Sequence, residues 1–338
     1  MRKQPWNRRL LAWVRPVLAV GLSCGIAAAP APGQAKDGPG DYPSKAVRIV
    51  VPFPVGGSMD VLARQVAQEL GERWGQAVVV DNRDGASGMI GLSSVAKAAP
   101  DGYTLGVVAN SFVANPLLRN DLPYDAFNSF EPVSLLASVP FVLAARTSLP
   151  ATSLAEFVAY AKAHPGTLDY SSGGNGTMSH LGAEMLKHAI QIDATHIPYR
   201  GQAPALTDVV SGHVSFTMGN LPEVVPHARA GKLRALAIMS DARSPLLPDT
   251  PTLSESGFGR MNIGSWYGLV APRDTPQPVL DRVQEAISEV LDRPSFRSRL
   301  EHQGFEVVGS RPAQFEAFMH RESAIYGKVI DSADIKAQ

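Results

Sequence analysis

Two stretches of this 338-residue chain concentrate glycine and small hydroxyl residues. The first is Pro52-Phe53-Pro54-Val55-Gly56-Gly57-Ser58-Met59-Asp60, the second Ser171-Ser172-Gly173-Gly174-Asn175-Gly176-Thr177-Met178-Ser179-His180. Each lies between an apolar run and a helical pattern, so each would gather the unpaired N–H groups of a helix's first turn, and the positive end of its dipole, at one spot. Such a spot can hold a carboxylate or phosphate without a Lys or Arg. Each charge-assisted hydrogen bond of this kind contributes about 1.5–3 kcal/mol, so three or four could supply the roughly 8 kcal/mol of micromolar binding. Taken singly, either stretch is explained equally well as a tight turn whose hydroxyls cap a helix.

Bond-making chemistry is poorly represented. The chain lacks G-x-S-x-G, H-E-x-x-H, the P-loop pattern and C-x-x-C. Gly174-Asn175-Gly176 opens like a dinucleotide fingerprint, but Ser179 stands where the third glycine belongs. None of the eight histidines pairs with another His or Cys at ligand spacing on a helix, so neither a metal nor a cofactor is expected. His180 and His196 read as partly buried, hydrogen-bonding residues near a cleft. A secreted serine hydrolase using Ser172 or Ser179 with His180 and Glu184 is the alternative from another class. Ser179 and His180 are neighbours that diverge by about 100° around a helix axis, so they cannot form a nucleophile and base pair locally. No catalytic residue is expected.

The elements that position these turns alternate between strand and helix. Val47 to Val51 is a β-branched run, and after Gly56-Gly57 a helix starts near Ser58, with Leu62, Val66, Leu70 and Trp74 on one stripe. Strands at Ala77 to Val80 and Tyr103 to Ala109 flank a Gly-rich turn at 84–88 and a helix to about Ala99. A looser Pro-rich stretch runs from Asn115 to Pro132. Ser153 and Glu156 form a capping box, and Pro165-Gly166 closes that helix. Strands follow at Leu168 to Ser171, Ala194 to Tyr199, Val214 to Met218 and Leu233 to Met239, then at Trp266 to Val270. Two further helices are expected, one with Pro276 at its start and one from Pro312 to about Ile330. Apolar strands alternating with helices indicate a parallel sheet covered on both faces, and ligands in such sheets lie at the carboxyl ends of strands, where both turns sit.

Composition narrows the class. Hydrophobic residues make up 45% and charged residues 18%, which excludes a disordered polymer, and the length favours two domains. With 31 basic and 31 acidic residues, nothing argues for nucleic acid. The N-terminus is asymmetric: Arg2, Lys3, Arg8, Arg9 and Arg15 precede an apolar stretch from about Val17 to Ala29, and no acidic residue occurs before Asp37. That is the order of a cleaved secretory signal, with cleavage expected near Ala35. Arg8-Arg9 leaves the twin-arginine route open, and Cys24, the single cysteine, is read as part of the signal rather than as a lipid attachment site. Removing residues 1–35 subtracts five of the 31 basic residues and none of the 31 acidic ones, leaving 26 − 31 = −5.

These residues carry a family resemblance. Tyr42-Pro43-Ser44-Lys45, the loop from Pro52 to Asp60, Gln76 to Arg83 with Gly85, and Pro100-Asp101-Gly102-Tyr103 are its first motifs. Ser172 to Leu181, His196 to Gly201, Gly231 to Ala237, Pro251-Thr252 with Glu255-Ser256-Gly257, and Trp266 to Pro272 follow in order. Through about Tyr326 the chain resembles the Bug family of extracytoplasmic solute receptors, the substrate-binding components of tripartite tricarboxylate transporters. The resemblance implies an α/β, type II periplasmic-binding-protein fold with two α/β lobes, two crossovers and an interlobe cleft. Residues 1–35 would be the signal, 36–139 plus 263–338 the discontinuous first lobe, and 140–262 the second.

The resemblance also implies a function and a site. A periplasmic, monomeric receptor would close on a small carboxylate, a di- or tricarboxylate, amino acid or aromatic acid, and deliver it to the transporter's membrane subunits. Signalling through a sensor kinase's periplasmic domain is the alternative partner. In relatives a ligand carboxylate is gripped largely by main-chain amides and small hydroxyls. By position, the first lobe would contribute Phe53, Val55, Gly56, Gly57 and Ser58, with Asn110 and Ser111 at the end of the third strand. The second would contribute Ser172, Asn175, Gly176, Thr177, Tyr199, Gly201 and Asn220. Asp60 is expected to be structural. Val55, Met178 and Gly219-Asn220 depart from the family pattern and are expected near the distal part of the ligand.

Overall fold

The computed structural model describes residues 42–332; the expected signal and its cleavage site lie outside the described residues. The chain opens with β1 (Val47–Val51), α1 (Ser58–Trp74), β2 (Val78–Asn82), α2 (Met89–Ala96) and β3 (Thr104–Val108). It continues through α3 (Asn110–Leu118) into β4 (Phe130–Arg146), the strand on which the architecture turns. After β4 come α4 (Leu154–Ala163), β5 (Asp169–Ser172), α5 (Met178–Ile190), β6 (Thr195–Pro198), α6 (Gln202–Val210), β7 (Phe216–Asn220), α7 (Leu221–Arg229) and β8 (Leu233–Ile238). The last segment is β9 (Gly264–Pro272), α8 (Gln277–Asp292), α9 (Pro294–Glu301), β10 (Glu306–Val307) and α10 (Pro312–Ser332).

β4 serves two sheet regions. Its first half, from Phe130 to Pro140, pairs with β9, and β10 lies on its other side at Ala137 and Ser138. Its second half, Phe141 to Arg146, runs between β7 and β8. The pairing changes partner between Pro140, opposite Gly264, and Phe141, opposite Asn220. The order is therefore β2-β1-β3-β9-β4 on one side and β8-β4-β7-β5-β6 on the other.

The all-parallel expectation needs correction. β1 pairs in parallel with β2 and β3, and β5 with β6 and β7, but every contact of β4 and β9 is antiparallel. Parallel pairing requires a crossover helix, and the flanks have one. In the centre the chain passes straight along β4 and returns along β9. Strand β4 itself escapes a linear reading because Pro132 and Pro140 argue against a central strand. Register shifts between Pro132 and Ser134, and between Leu135 and Ala137, accommodate the first proline, and the second sits at the change of partner. Helix α3 occupies the start of what reads as a loose stretch, so Asn110 and Ser111 begin a helix rather than end a strand.

Helix stripes fall where spacing predicts. Leu62, Val66 and Leu70 of α1 are buried, with Trp74 at the margin, and α8 buries Leu280, Val283, Ile287 and Leu291 beside them. Each such side chain removed from water contributes about 1.5–3 kcal/mol, which fixes the start of α1 against β1 and β3. Ser153 caps α4 through a bond from the Glu156 amide to its hydroxyl (3.2 Å), while the Glu156 carboxylate reaches Thr152, one residue earlier than a standard capping box. Among the described residues no helix is long and apolar enough to cross a membrane.

Candidate functional site

Five helices begin around one cavity of about 80 Å³. Gly57, Ser58 and Met59 open α1; Ala109, Asn110 and Ser111 open α3; Thr177, Met178 and Ser179 open α5. Gln202 and Ala203 open α6, and Asn220 is the residue before α7. Ser265 and Tyr267 of β9 and Phe141 of β4 also line it. The first two helices follow strands of one half of the molecule and the other three follow strands of the other, so the cavity lies where the halves meet. Each helix presents the positive end of its dipole and unpaired first-turn amides. Among the described residues the amides of Asn110, Ser111, Met178 and Ser179 donate to no protein group.

Of the residues expected from position, Phe53, Gly57, Ser58, Asn110, Ser111, Thr177 and Asn220 line this cavity. The others lie apart from it. Val55 is 64% exposed, and Gly56 faces an outer pocket of about 510 Å³. Gly56 donates its amide to Asp60 (3.0 Å), which also accepts from Asn82 (2.9 Å) and Arg64 (3.1 Å), the structural role expected of Asp60. Ser172 is buried behind the second turn, the Asn175 carbonyl accepts from Ser87 (2.7 Å), and Tyr199 bonds Asp208. Gly201 lies against Pro54.

The second turn uses most of its amides internally. Gly173 donates to the Ser179 hydroxyl (2.9 Å), Gly174 to the Ser172 hydroxyl (3.1 Å) and Gly176 to Nδ1 of His180 (3.2 Å). Nδ1 of His180 accepts a bond, so in the neutral ring the proton is on Nε2. His180 stacks on His196 with centroids 4.1 Å apart, and His196 stacks on Tyr170 at 4.8 Å. Burial lowers the pKa of both imidazoles; His196, with His180 adding to the effect, is pushed down to about 4. Nε2 of His196 is 2.6 Å from the Ser172 hydroxyl. This contact does not make a nucleophile and base. Ser172 is absent from the cavity wall, and Glu184 bonds Tyr170 and Lys187 rather than orienting His196.

Glu223, in the first turn of α7, was not expected at the site. Its Oε1 accepts from the Ser58 amide (2.6 Å), the Ser58 hydroxyl (2.7 Å) and the Asn220 side chain (3.2 Å). Among the described residues it is the one charged residue on the cavity wall. Burial raises its pKa despite those bonds, and burial together with the Glu223 charge raises that of Tyr267. Ser58 and Glu223 line both this cavity and the outer pocket, so their contact stands between them. The sequence did contain a signal: Asn220-Leu221-Pro222-Glu223 has capping-box spacing, but the carboxylate crosses to Ser58 of α1 and meets the Asn220 side chain rather than its backbone amide. A larger groove of about 780 Å³ follows Ser138 to Pro140 and Asn262 to Trp266, but the five helix starts do not converge on it.

Comparison with known proteins places this geometry. Residues 62–335 match the profile of the tripartite tricarboxylate transporter family receptors. BugT of Bordetella pertussis is 35% identical over 297 residues, covering 87% of this chain and 91% of that protein. Among solved structures, R. palustris Rpa4515 with adipate is 37% identical with a TM-score of 0.85, covering 88% of this chain and 99% of that one. The periplasmic binding protein BugD is 33% identical with a TM-score of 0.84, covering 88% and 100%. The five-helix cavity therefore lies in a periplasmic-binding fold of two α/β lobes, among relatives that are solute receptors rather than enzymes, and the chain belongs to the tripartite tricarboxylate transporter family of receptors.

Proposed function

We propose that the chain is a periplasmic receptor that closes two lobes on a small carboxylate and delivers it to the membrane subunits of a tripartite tricarboxylate transporter. The lobes are 36–139 plus 263–338 and 140–262, hinged where β4 changes partner, and residues 1–35 are the export signal. The convergence of five helix starts from both halves on one cavity is the observation that carries this reading. The carboxylate is held by the free amides of Asn110, Ser111, Met178 and Ser179, which supply charge-assisted bonds without a cation. Closure by hinge motion excludes water and strengthens those bonds.

Mature protein purified from the periplasm should release a small carboxylate on denaturation, identifiable by mass spectrometry. Refolded protein should bind that acid with calorimetric heat and a raised unfolding temperature. If no acid is released and no carboxylate in a broad panel changes the unfolding temperature, the receptor reading fails.

A further inference from the structure

We propose that Tyr326, on the C-terminal helix α10 and outside the cavity, is a positioning residue for solute binding: through the side chain of Asn110 it holds the two free amides of α3 in place. This rests on the receptor reading and extends it to a residue behind the cavity wall. Tyr326 is 3% exposed and lines the larger groove, not the cavity.

Helix α3 has little of its own to fix its first turn. Ala109, just before it, has no side chain that could cap an amide, the helix is nine residues long, and Pro116 removes one of its bonds. Asn110 supplies the tether. Its Nδ2 donates to the Tyr326 hydroxyl (2.7 Å) and to the Gly264 carbonyl (3.1 Å), and its Oδ1 accepts from the Trp266 amide (3.2 Å). A carbonyl on one side and an N–H on the other fix which end of the carboxamide is which. Both of its hydrogens are committed, so Asn110 donates to a solute from its backbone amide and not from its side chain.

Tyr326 donates its only hydrogen to Glu322, one turn earlier on α10, and the Trp266 indole N–H donates to the same carboxylate (3.1 Å). The chain of bonds therefore runs one way, from Asn110 through Tyr326 to Glu322. Burial, and then the Glu322 charge, raise the Tyr326 pKa, which keeps the phenol a donor. Gly264 and Trp266 open β9, and Gly264 stands opposite Pro140, where β4 changes partner. A Cβ at Gly264 would lie 2.0 Å from the Val139 carbonyl oxygen, so the two strands are as close there as a glycine allows. Asn110 thus ties the start of α3 to a helix on one side and to the joint between the halves on the other. An amide pair held in place beforehand loses less freedom when it grips an anion.

The test uses the mature protein, unfolded and refolded to strip bound solute, and calorimetry with acetate, succinate, glutarate, citrate, benzoate and L-glutamate. For the acid that binds the parent most tightly, Tyr326→Phe should weaken binding by about tenfold and Asn110→Ala by at least as much, with circular dichroism showing both folded. Tyr326→Phe made in the Asn110→Ala protein should change affinity by less than about twofold, because the phenol acts through that side chain. Glu322→Gln keeps the shape but weakens the phenol's acceptor, and should cost about threefold in affinity. It decides the question if Tyr326→Phe does not fold, since no loss would then overturn the proposal. A Tyr326→Phe protein that unfolds at a lower temperature yet binds within about twofold of the parent would make the residue structural only. A loss of about tenfold that persists in the Asn110→Ala protein would show that it does not act through Asn110. Either result overturns the proposal and leaves the receptor reading standing. If none of these acids binds the parent, both fall.

Discussion

The carboxylate of Glu223 lies 2.6 Å from the amide nitrogen of Ser58, 165 positions earlier in the chain. One half of the molecule thus places an anion on a helix start belonging to the other half. Burial raises the pKa of this carboxyl above the ordinary glutamate value of 4.5. A raised folded pKa means that the group's contribution to stability is full below the unfolded value and is lost as pH rises through the folded one. Glu223→Gln removes that dependence. The unfolding temperature of the variant, relative to the parent, should therefore rise between about pH 4 and pH 8. Scanning calorimetry at several pH values measures it, and a difference that is flat or falls with pH would show that the carboxyl is not destabilised in the fold.

His196 titrates with the opposite sign. Its imidazole, buried and stacked on His180, ionises only at about 4, below the ordinary 6.5. The unfolded chain therefore binds the additional proton first, and stability should decline as pH falls from 6.5 towards 4. The ring is partly exposed, so the loss is on the order of 1 kcal/mol rather than the full shift. His196→Gln should flatten this part of the curve, seen as denaturant midpoints at pH 7 and pH 4.5 that converge relative to the parent.

How much of this could be read from the chain depends on the range of the interactions. β1 with α1, and β5 with α5, were legible because a β-branched or apolar run, a glycine turn and a 3.6-residue stripe are local signals. β4 was not, because Pro132 and Pro140 suppress a strand signal that tertiary pairing with β9 and β7 overrides. The site divides in the same way. Ser58 and Thr177 stand at helix starts that local patterns locate, whereas Asn110, expected at a strand end, opens α3; all three line the cavity. Glu223 looks like an ordinary first-turn acid, and only the approach of α7 to α1 makes it part of the wall.

Asp60 should matter for the fold more than for ligand contact. The residue is 2% exposed and accepts bonds from the Gly56 amide, Asn82 and Arg64. Burial alone would raise its pKa, but the bonds from Arg64, Gly56 and Asn82 outweigh burial and hold it below the ordinary aspartate value of 3.8. Its contribution is present above that value and lost as pH falls through the lower folded one. Asp60→Ala leaves an amide and a carboxamide donor unpaired beside the first turn, at a cost of about 2–3 kcal/mol. Denaturation at pH 7 should show that loss, and a midpoint equal to the parent's would mean the network is replaceable by water.

Gly57, on the cavity wall, and Gly201, packed against Pro54, should respond differently to the same substitution. Gly201 has φ +149, and a Cβ there would come within 2.6 Å of Cδ of Pro54, on the other side of the contact. The proline ring cannot swing aside as a flexible side chain would. Gly57, by contrast, has φ −76, and a Cβ there would meet Oε1 of Glu223 at an ordinary 3.6 Å. Gly201→Ala should therefore oppose approach of the two segments. It adds roughly 1–3 kcal/mol of backbone strain and weakens solute binding by at least about tenfold. Gly57→Ala should bind within about twofold of the parent, since only an ordinary contact is added. Small-angle scattering of the solute-loaded protein should show a larger radius for Gly201→Ala alone. Equal radii and affinities for the two variants would mean that closure does not bring Pro54 and Gly201 together.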